Sequence, residues 1–328
     1  MKRSKFLAVT IGALLLSTQV IAQNSNSTDR IFPNKPVKII SPYPAGGGAD
    51  FILRTLTIPL SELWGQPIVI DYKPGAGAAI ALSYVAKQPA DGYTLVIGNT
   101  VMVQAPAITP KLPYDTFRDF APITRLVSTD DFLVASSTLP IKSVQEFIEL
   151  ARKSSKDFGI GSYGNGTGSH FHVELLRSQG GINAPHIPFS GGVPLITAIM
   201  GGQLAAGFMD VSGTRTHIGS DKVKVLAVTG LTRSRLAPNV PTMTELGFQM
   251  FEPSGFAGLF APAQTPKAIV NKIAQDVRSI LSRPEISQKY IDAGLTPRTD
   301  SPDAFEALMK ADEQVWRKIA TQSNIRVE

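Results

Sequence analysis

The chain has 328 residues, of which 43% are hydrophobic and 18% charged, with 28 glycines, 24 prolines and no cysteine. At about 150 residues per domain this is enough chain for two cores, and the apolar share excludes a disordered or fibrous protein. Without cysteine there are no disulfides, thiol nucleophiles, iron–sulfur clusters or thiolate zinc sites.

Lys2, Arg3 and Lys5 precede the apolar run Phe6–Leu16, and Val20-Ile21-Ala22 offers small residues for cleavage. Residues 1–22 are therefore expected to be a secretory signal peptide, and the run is too short for a comfortable membrane span. Setting aside its three basic residues lowers 32 against 26 charges (+6) to 29 against 26 (+3). No basic run remains to follow a phosphate backbone, so no nucleic acid partner is expected.

After a polar leader over residues 23–30, strand and helix patterns alternate. Val37–Ser41 reads as a strand, broken by Pro42-Tyr43-Pro44-Ala45-Gly46-Gly47-Gly48. A helix follows from about Asp50, with Ile52, Leu53, Leu56, Leu60 and Leu63 at helical spacing and Pro59 expected to kink it. Ile68–Asp71, Ala78–Lys87 and Thr94–Gly98 then read as strand, helix and strand. Such crossovers imply a parallel sheet covered by helices.

The β-rich stretch Phe120–Ser136 precedes a capping box at Ser143-Val144-Gln145-Glu146. Next come strand Phe158–Ser162, glycine-rich Gly164–Gly168, helix Ser169–Ser178, strand Pro185–Phe189, helix Val193–Met200 and strands Ala205–Asp210 and Val223–Thr229. Phe256–Ala261 is an apolar run, and Thr265-Pro266 and Ser301-Pro302 each read as an N-cap with an N1 proline.

Catalytic signatures are weak. There is no Walker loop, no Gly-x-Ser-x-Gly elbow and only two glycines of a dinucleotide fingerprint, at Gly75 and Gly77. His170 and His172 fall in a predicted helix, where that spacing points them apart, so joint metal ligation by this pair is not expected. His170, His172, His186 and His217 read as structural or surface residues, and Asp130-Asp131 as solvated charges. Neither an enzyme, a cofactor nor a metal site is expected.

Two glycine-rich segments, Pro44–Asp50 and Gly164–His170, sit between a strand end and a helix start. Unpaired N–H groups and the helix dipole make such places anion sites without any arginine. Asp50 could cap its helix, and Arg54 reads as its surface ion-pair partner.

Lys35-Pro36-Val37-Lys38-Ile39-Ile40, Pro44-Ala45-Gly46-Gly47 and Asp50…Arg54 together resemble the opening of the Bug-type receptors of tripartite tricarboxylate transporters. The resemblance continues through Gly65-Gln66-Pro67, Lys73-Pro74-Gly75-Ala76-Gly77, Asp91-Gly92-Tyr93-Thr94, Leu112-Pro113-Tyr114-Asp115, Gly164-Asn165-Gly166-Thr167…His170…Glu174, Val240-Pro241-Thr242…Glu245 and Gly258-Leu259-Phe260-Ala261-Pro262-Ala263. It implies a two-lobed α/β periplasmic binding protein of type II, with residues 31–135 and 226–328 in one lobe and 136–225 in the other.

The same resemblance implies a monomeric receptor that captures a small carboxylated solute between its lobes and serves membrane transporter subunits. An alternative is a periplasmic co-sensor presenting the solute to a signalling protein. Carried over position by position, the ligand site comprises Ala45, Gly46, Gly47, Asp50, Asn99, Thr100, Gly166 and Thr167, with Asp210 as a distal contact. Phe256-Ala257, the segment Val211–Arg215, Gln104-Ala105-Pro106 and Pro59 depart from the family pattern and leave the solute's identity open.

Overall fold

A computed structural model describes residues 32–325 apart from 110, 155–157, 254 and 324. The expected signal peptide and leader lie outside the described residues. In chain order the first part builds β1 (Val37–Ser41), α1 (Gly48–Trp64), β2 (Ile68–Tyr72), α2 (Ala79–Val85) and β3 (Thr94–Asn99). It continues with α3 (Val101–Ile108), the short α4 (Thr116–Asp119) and β4 (Phe120–Thr129). The middle contains β5 (Asp131–Ser136), α5 (Val144–Lys153), β6 (Ile160–Ser162), α6 (Gly168–Gly180), β7 (His186–Pro188), α7 (Gly192–Met200), β8 (Ala206–Asp210), α8 (Val211–Thr214) and β9 (Val223–Val228). The chain then forms β10 (Gly255–Pro262), α9 (Lys267–Leu281), α10 (Pro284–Asp292), β11 (Thr296–Pro297) and α11 (Pro302–Gln322).

These strands make two sheets, ordered β11-β4-β10-β3-β1-β2 and β7-β6-β8-β5-β9. β1, β2 and β3 run parallel in the first, as do β6, β7 and β8 in the second. The stretch from Phe120 to Ser136, which reads as one β-rich run, is two strands in different sheets with Asp130 between them. Period-two patterning reports a strand but not the sheet it joins, so boundaries drawn at 135 and 225 cut through β5 and β9. Strand membership changes over at Asp130 and again between Val228 and Gly255.

α1 forms where the sequence places a helix because Ile52, Leu53, Leu56 and Leu60 bury one continuous stripe, three of them with no exposure at all. Each such side chain contributes about 1.5–3 kcal/mol. The helix runs on through Pro59 to Trp64, whose indole N–H donates to Asp276 on α9 at 2.7 Å. Tyr290 of α10 donates its hydroxyl to the Ile52 carbonyl oxygen, so α1 is fastened at both ends.

Helix caps follow the expected chemistry unevenly. Ser301 caps α11 through the Ala304 N–H, and Ser143 caps α5 through the Glu146 N–H. Glu146 closes its side on Lys142 N–H, one residue earlier than a capping box would place it. Thr265 does not cap α9, because its hydroxyl donates back to the Pro262 carbonyl and the helix begins after Pro266.

The sheets are not independent bodies. Phe171 of α6 meets Trp316 of α11 edge to face at 5.1 Å, and both belong to one buried cluster containing residues from both sheets. At the changeover Asp131 pairs with Asp210, the last residue of β8, while Ala257 pairs with Asn99, the last residue of β3. The carboxyl ends of the parallel strands in both sheets therefore meet the same seam, the usual location of ligands in open α/β sheets.

Candidate ligand-binding site

In the first sheet, β1 leads into an exposed loop, Pro44 to Gly48, and then into α1. Gly46 has φ +84°, a left-handed backbone that favours glycine. Gly47 occupies the N-cap position of α1, and no side chain caps the helix. Ala45, Gly46 and Gly47 thus present backbone at a helix start that the protein leaves open.

Asp50 lies behind this loop, with its carboxylate turned to the protein's own groups. It is buried, and its carboxylate takes hydrogen bonds from Gly46 N–H at 2.9 Å, Arg54 Nε at 3.0 Å and the Tyr72 hydroxyl. Burial raises its pKa, but these bonds and the Arg54 charge outweigh that and hold it below the ordinary value. Its expected place among the ligand contacts gives way to a bracing role, since its acceptor oxygens are taken. Arg54 is the ion-pair partner anticipated, and it also reaches the Tyr72 hydroxyl at 3.0 Å.

Asn99 ends β3 and Thr100 follows it, and the two are pinned differently. Asn99 donates from Nδ2 to the Tyr43 hydroxyl at 2.6 Å and accepts the Val101 N–H, joining the β1 loop to the start of α3. Burial pushes Tyr43 up to about 12 against the pull of the Asn99 bond, so its hydroxyl keeps its proton. Thr100 is buried, and its hydroxyl oxygen accepts the Phe256 N–H at 2.8 Å, which commits it to the crossover strand β10.

In the second sheet, Gly166 is buried and Thr167 is half-buried. The Thr167 hydroxyl oxygen accepts the His170 N–H and its proton goes to the Gly164 carbonyl at 2.7 Å, making Thr167 the N-cap of α6. Gly166 N–H donates to His170 Nδ1 at 3.0 Å. Asp210 caps α8 through Gly213 N–H at 2.9 Å and lies close to Gly192. α7 begins at Gly192, after Ser190-Gly191, with no side-chain cap, so it is the second-sheet counterpart of the open α1 start. The Gly-Gly pair ahead of a predicted helix was the signal available for it, the same grammar as Gly46-Gly47-Gly48.

Asp131 departs furthest from expectation. The reading of Asp130-Asp131 as solvated charges fails for it. Asp131 is 7% exposed, bonds His172 Nδ1 at 2.9 Å and accepts the Tyr163 hydroxyl at 3.2 Å. Burial, with Asp131 and Asp210 nearby, raises Tyr163 well above its ordinary value. A carboxylate held this way at the changeover is a structural joint between strands.

Ligating atoms of His170, Glu174 and His186 come within 4.8 Å of one another, a spacing that the sequence reading of the His170/His172 pair did not anticipate. Their bonding does not suit a metal. The His170 and His186 rings stack at 4.0 Å and 10°, so lone pairs in the two parallel ring planes cannot converge on one ion. His170 Nδ1 is occupied by Gly166 N–H, and both Glu174 oxygens take bonds from Arg177 Nη1. Burial, then the Arg177 charge, lowers His170 to about 4; burial, His170 and Arg177 lower His186 to about 3.

A separate groove near the changeover brings together Arg125, Arg233, Arg235 and Arg298 but also Asp130, Glu252, Asp292 and Asp300. Arg125 pairs with Asp300 and Arg233 with Glu245, and none of the glycine loops lines it. Among the described residues no helix is long and apolar enough to cross a membrane.

The model of the tripartite tricarboxylate transporter family receptor matches residues 52–325. The chain belongs to this receptor family. Its fold is the two-lobed α/β fold of periplasmic binding proteins. The receptor is 27% identical to the periplasmic binding protein BugD, with a TM-score of 0.77 over 90% of this chain and 100% of that one. It is 28% identical to Rpa4515 of R. palustris, solved with adipate, with a TM-score of 0.80 over 90% and 99% of the two chains. MatC from Rhodopseudomonas palustris, solved with bound malate, is 28% identical with a TM-score of 0.75 over 88% and 99%.

Proposed function

We propose that the receptor captures a small carboxylate-bearing solute in the periplasm, closes its lobes around it, and presents the closed form to membrane transporter subunits. The observation that carries this reading is the open start of α1, where Gly46, Gly47 and Gly48 are exposed and no side chain caps the helix. The first-turn N–H groups of α1 from Gly48 onward have no intrahelical acceptor, and with the positive end of a helix dipole behind them they favour a carboxylate oxygen.

The uncapped start of α7 at Gly191-Gly192 supplies a second set of donors from the other lobe. A dicarboxylate spanning the two would have differential affinity for the closed arrangement, which is what drives closure. In this reading Ala45, Gly46 and Gly47 touch the solute, Asn99 and Tyr43 flank it, and Gly166 lines the second-lobe side. Asp50, Thr100 and Thr167 hold their loops in shape, and Asp210 marks the distal end. Adipate and malate on two of the similar proteins are consistent with this class of guest.

Titration calorimetry of the purified receptor against mono-, di- and tricarboxylates, adipate and malate among them, tests the proposal. Binding of at least one carboxylate with a small-angle scattering change that reports compaction is expected. Binding of none of them, or binding without compaction, contradicts it.

A further inference from the structure

Four polar side chains lie behind the second glycine loop, and all of them bond loop backbone or one another. Ser162, at the end of β6, takes the Gly164 N–H at 3.3 Å and donates to the Gly164 carbonyl at 3.2 Å. The same hydroxyl lies 2.7 Å from His186 Nε2. His186 stacks on His170, and His170 Nδ1 receives the Gly166 N–H. Since a backbone N–H can only donate, this Nδ1 must be the bare nitrogen and Nε2 the one carrying the proton. Thr167 completes the set by bonding the Gly164 carbonyl.

Gly164 and Gly166 have φ +151° and +72°, so the loop between them takes a path that needs external fixing. From this geometry we infer that His170 and His186 are positioning residues of the ligand site: the Nδ1 acceptor of His170, backed by the His186 ring, holds the Gly164–Gly166 backbone in the shape that meets the solute. The inference rests on the proposed function for the word "solute" but not for the holding itself. The low values of both rings agree with it, because a ring that stays uncharged keeps Nδ1 available as an acceptor. Around them stand Arg177 and Glu174 on α6, bonded to each other, and the Ser162 hydroxyl at the end of β6.

Two substitutions separate holding from mere packing. His170→Phe preserves a stackable ring and removes the acceptor, whereas His170→Asn places an amide oxygen near the Nδ1 position and removes the ring. Amide hydrogen exchange, read by NMR on the receptor without any added solute, is the primary measurement. The expected result is exchange at Gly166 N–H faster by about tenfold or more in His170→Phe and close to wild type in His170→Asn, with Leu175 and Leu176 amides unchanged in both.

Equal exchange at Gly166 in all three proteins, or the same acceleration in both variants, overturns the inference. Should His170→Phe not fold, His186→Leu removes the ring stacked behind His170 and is expected to accelerate exchange at Gly166. No acceleration there overturns the inference as well. Calorimetry with adipate and malate forms the second arm. A faster Gly166 with affinity lowered at least fivefold supports the inference, and a faster Gly166 with unchanged affinity shows that this loop is not the solute's. If neither acid binds wild-type protein, the choice of these solutes fails while the exchange arm still decides whether the histidines hold the loop.

Discussion

The two glycine loops share a sequence grammar and differ in how they are held. The first stands exposed and is braced by charge, with Asp50 gathering Gly46 N–H, Arg54 and Tyr72. The second is more buried and is braced by uncharged groups, Ser162, Thr167 and the stacked histidines. The Asp50 carboxylate, itself buried, can serve as a brace because the exposed Arg54 guanidinium and the bonds from Gly46 and Tyr72 balance its charge. In the drier second loop, neutral rings achieve the same end without the cost of burying an ion.

The largest effect that would break this comparison comes from Gly47→Asp. The position has ordinary φ and open space, with the nearest atom to an added Cβ 3.7 Å away, so the fold should survive. A second negative charge about 5 Å from a carboxylate, at an effective dielectric near 20, costs about 3 kcal/mol, or about 100-fold in affinity. Calorimetry that finds full affinity would remove the first loop from the site.

Acid sharpens the comparison, because the two braces respond in different windows. Asp50 has a lowered pKa in the folded state, so its contribution is present above the ordinary carboxylate value and lost only as pH falls through the lowered one. The histidines are held neutral in the fold while the unfolded chain protonates near pH 6.5. The unfolded state then binds more protons, and stability falls as pH drops from about 6.5 toward 4 for His170 and 3 for His186. The slope is at most about 1.4 kcal/mol per pH unit for each ring. Urea unfolding between pH 7 and 4.5 of the Asp312→Asn protein, which lacks that buried acid's opposing titration, should show this loss, with a smaller slope when His170→Asn is added. An unchanged slope would mean that the ring does not titrate differently on folding.

Asp50→Asn tests the charged brace from the other side. It keeps the shape, weakens the bonds from Gly46 and Arg54, and should cost about 1–2 kcal/mol in urea unfolding at pH 7. The same variant should leave the pH 4.5–7 slope as it is. The smallest expected effect is a control outside both loops. Asp312 on α11 is buried, which raises it to about 7 against the pull of Arg125. A raised acid stabilises least when ionised, so stability declines as pH rises from about 4 through 7. Asp312→Asn should raise the melting temperature at pH 8 by about 2–5 °C and flatten that decline without touching either loop.

Much of this arrangement is visible in the sequence because it depends on local rules. The leucine stripe of α1, the serine cap at Ser301 and the glycine clusters each speak for themselves. What escaped depends on partners distant in the chain. Asp131 reads as solvated until β5 brings it against His172 and Tyr163, 41 and 32 residues on. α3, over Val101–Ile108, is apolar but for Gln104 and contains Pro106, so it has no amphipathic period to detect. Asp50 and Thr167 stand out beside the two glycine loops, but only the folded chain shows that their polar atoms are already used.

The account rests on opposed, glycine-lined helix starts receiving a carboxylate, and a crystal structure of the receptor with its solute bound addresses that directly. It should place one carboxylate within hydrogen-bond reach of the Gly47, Gly48 and Ala49 amides at the start of α1, with the second-lobe loops closed over the remainder of the molecule. A solute seated in the arginine-lined groove between Arg235 and Arg298, with the α1 amides left to solvent, would contradict it.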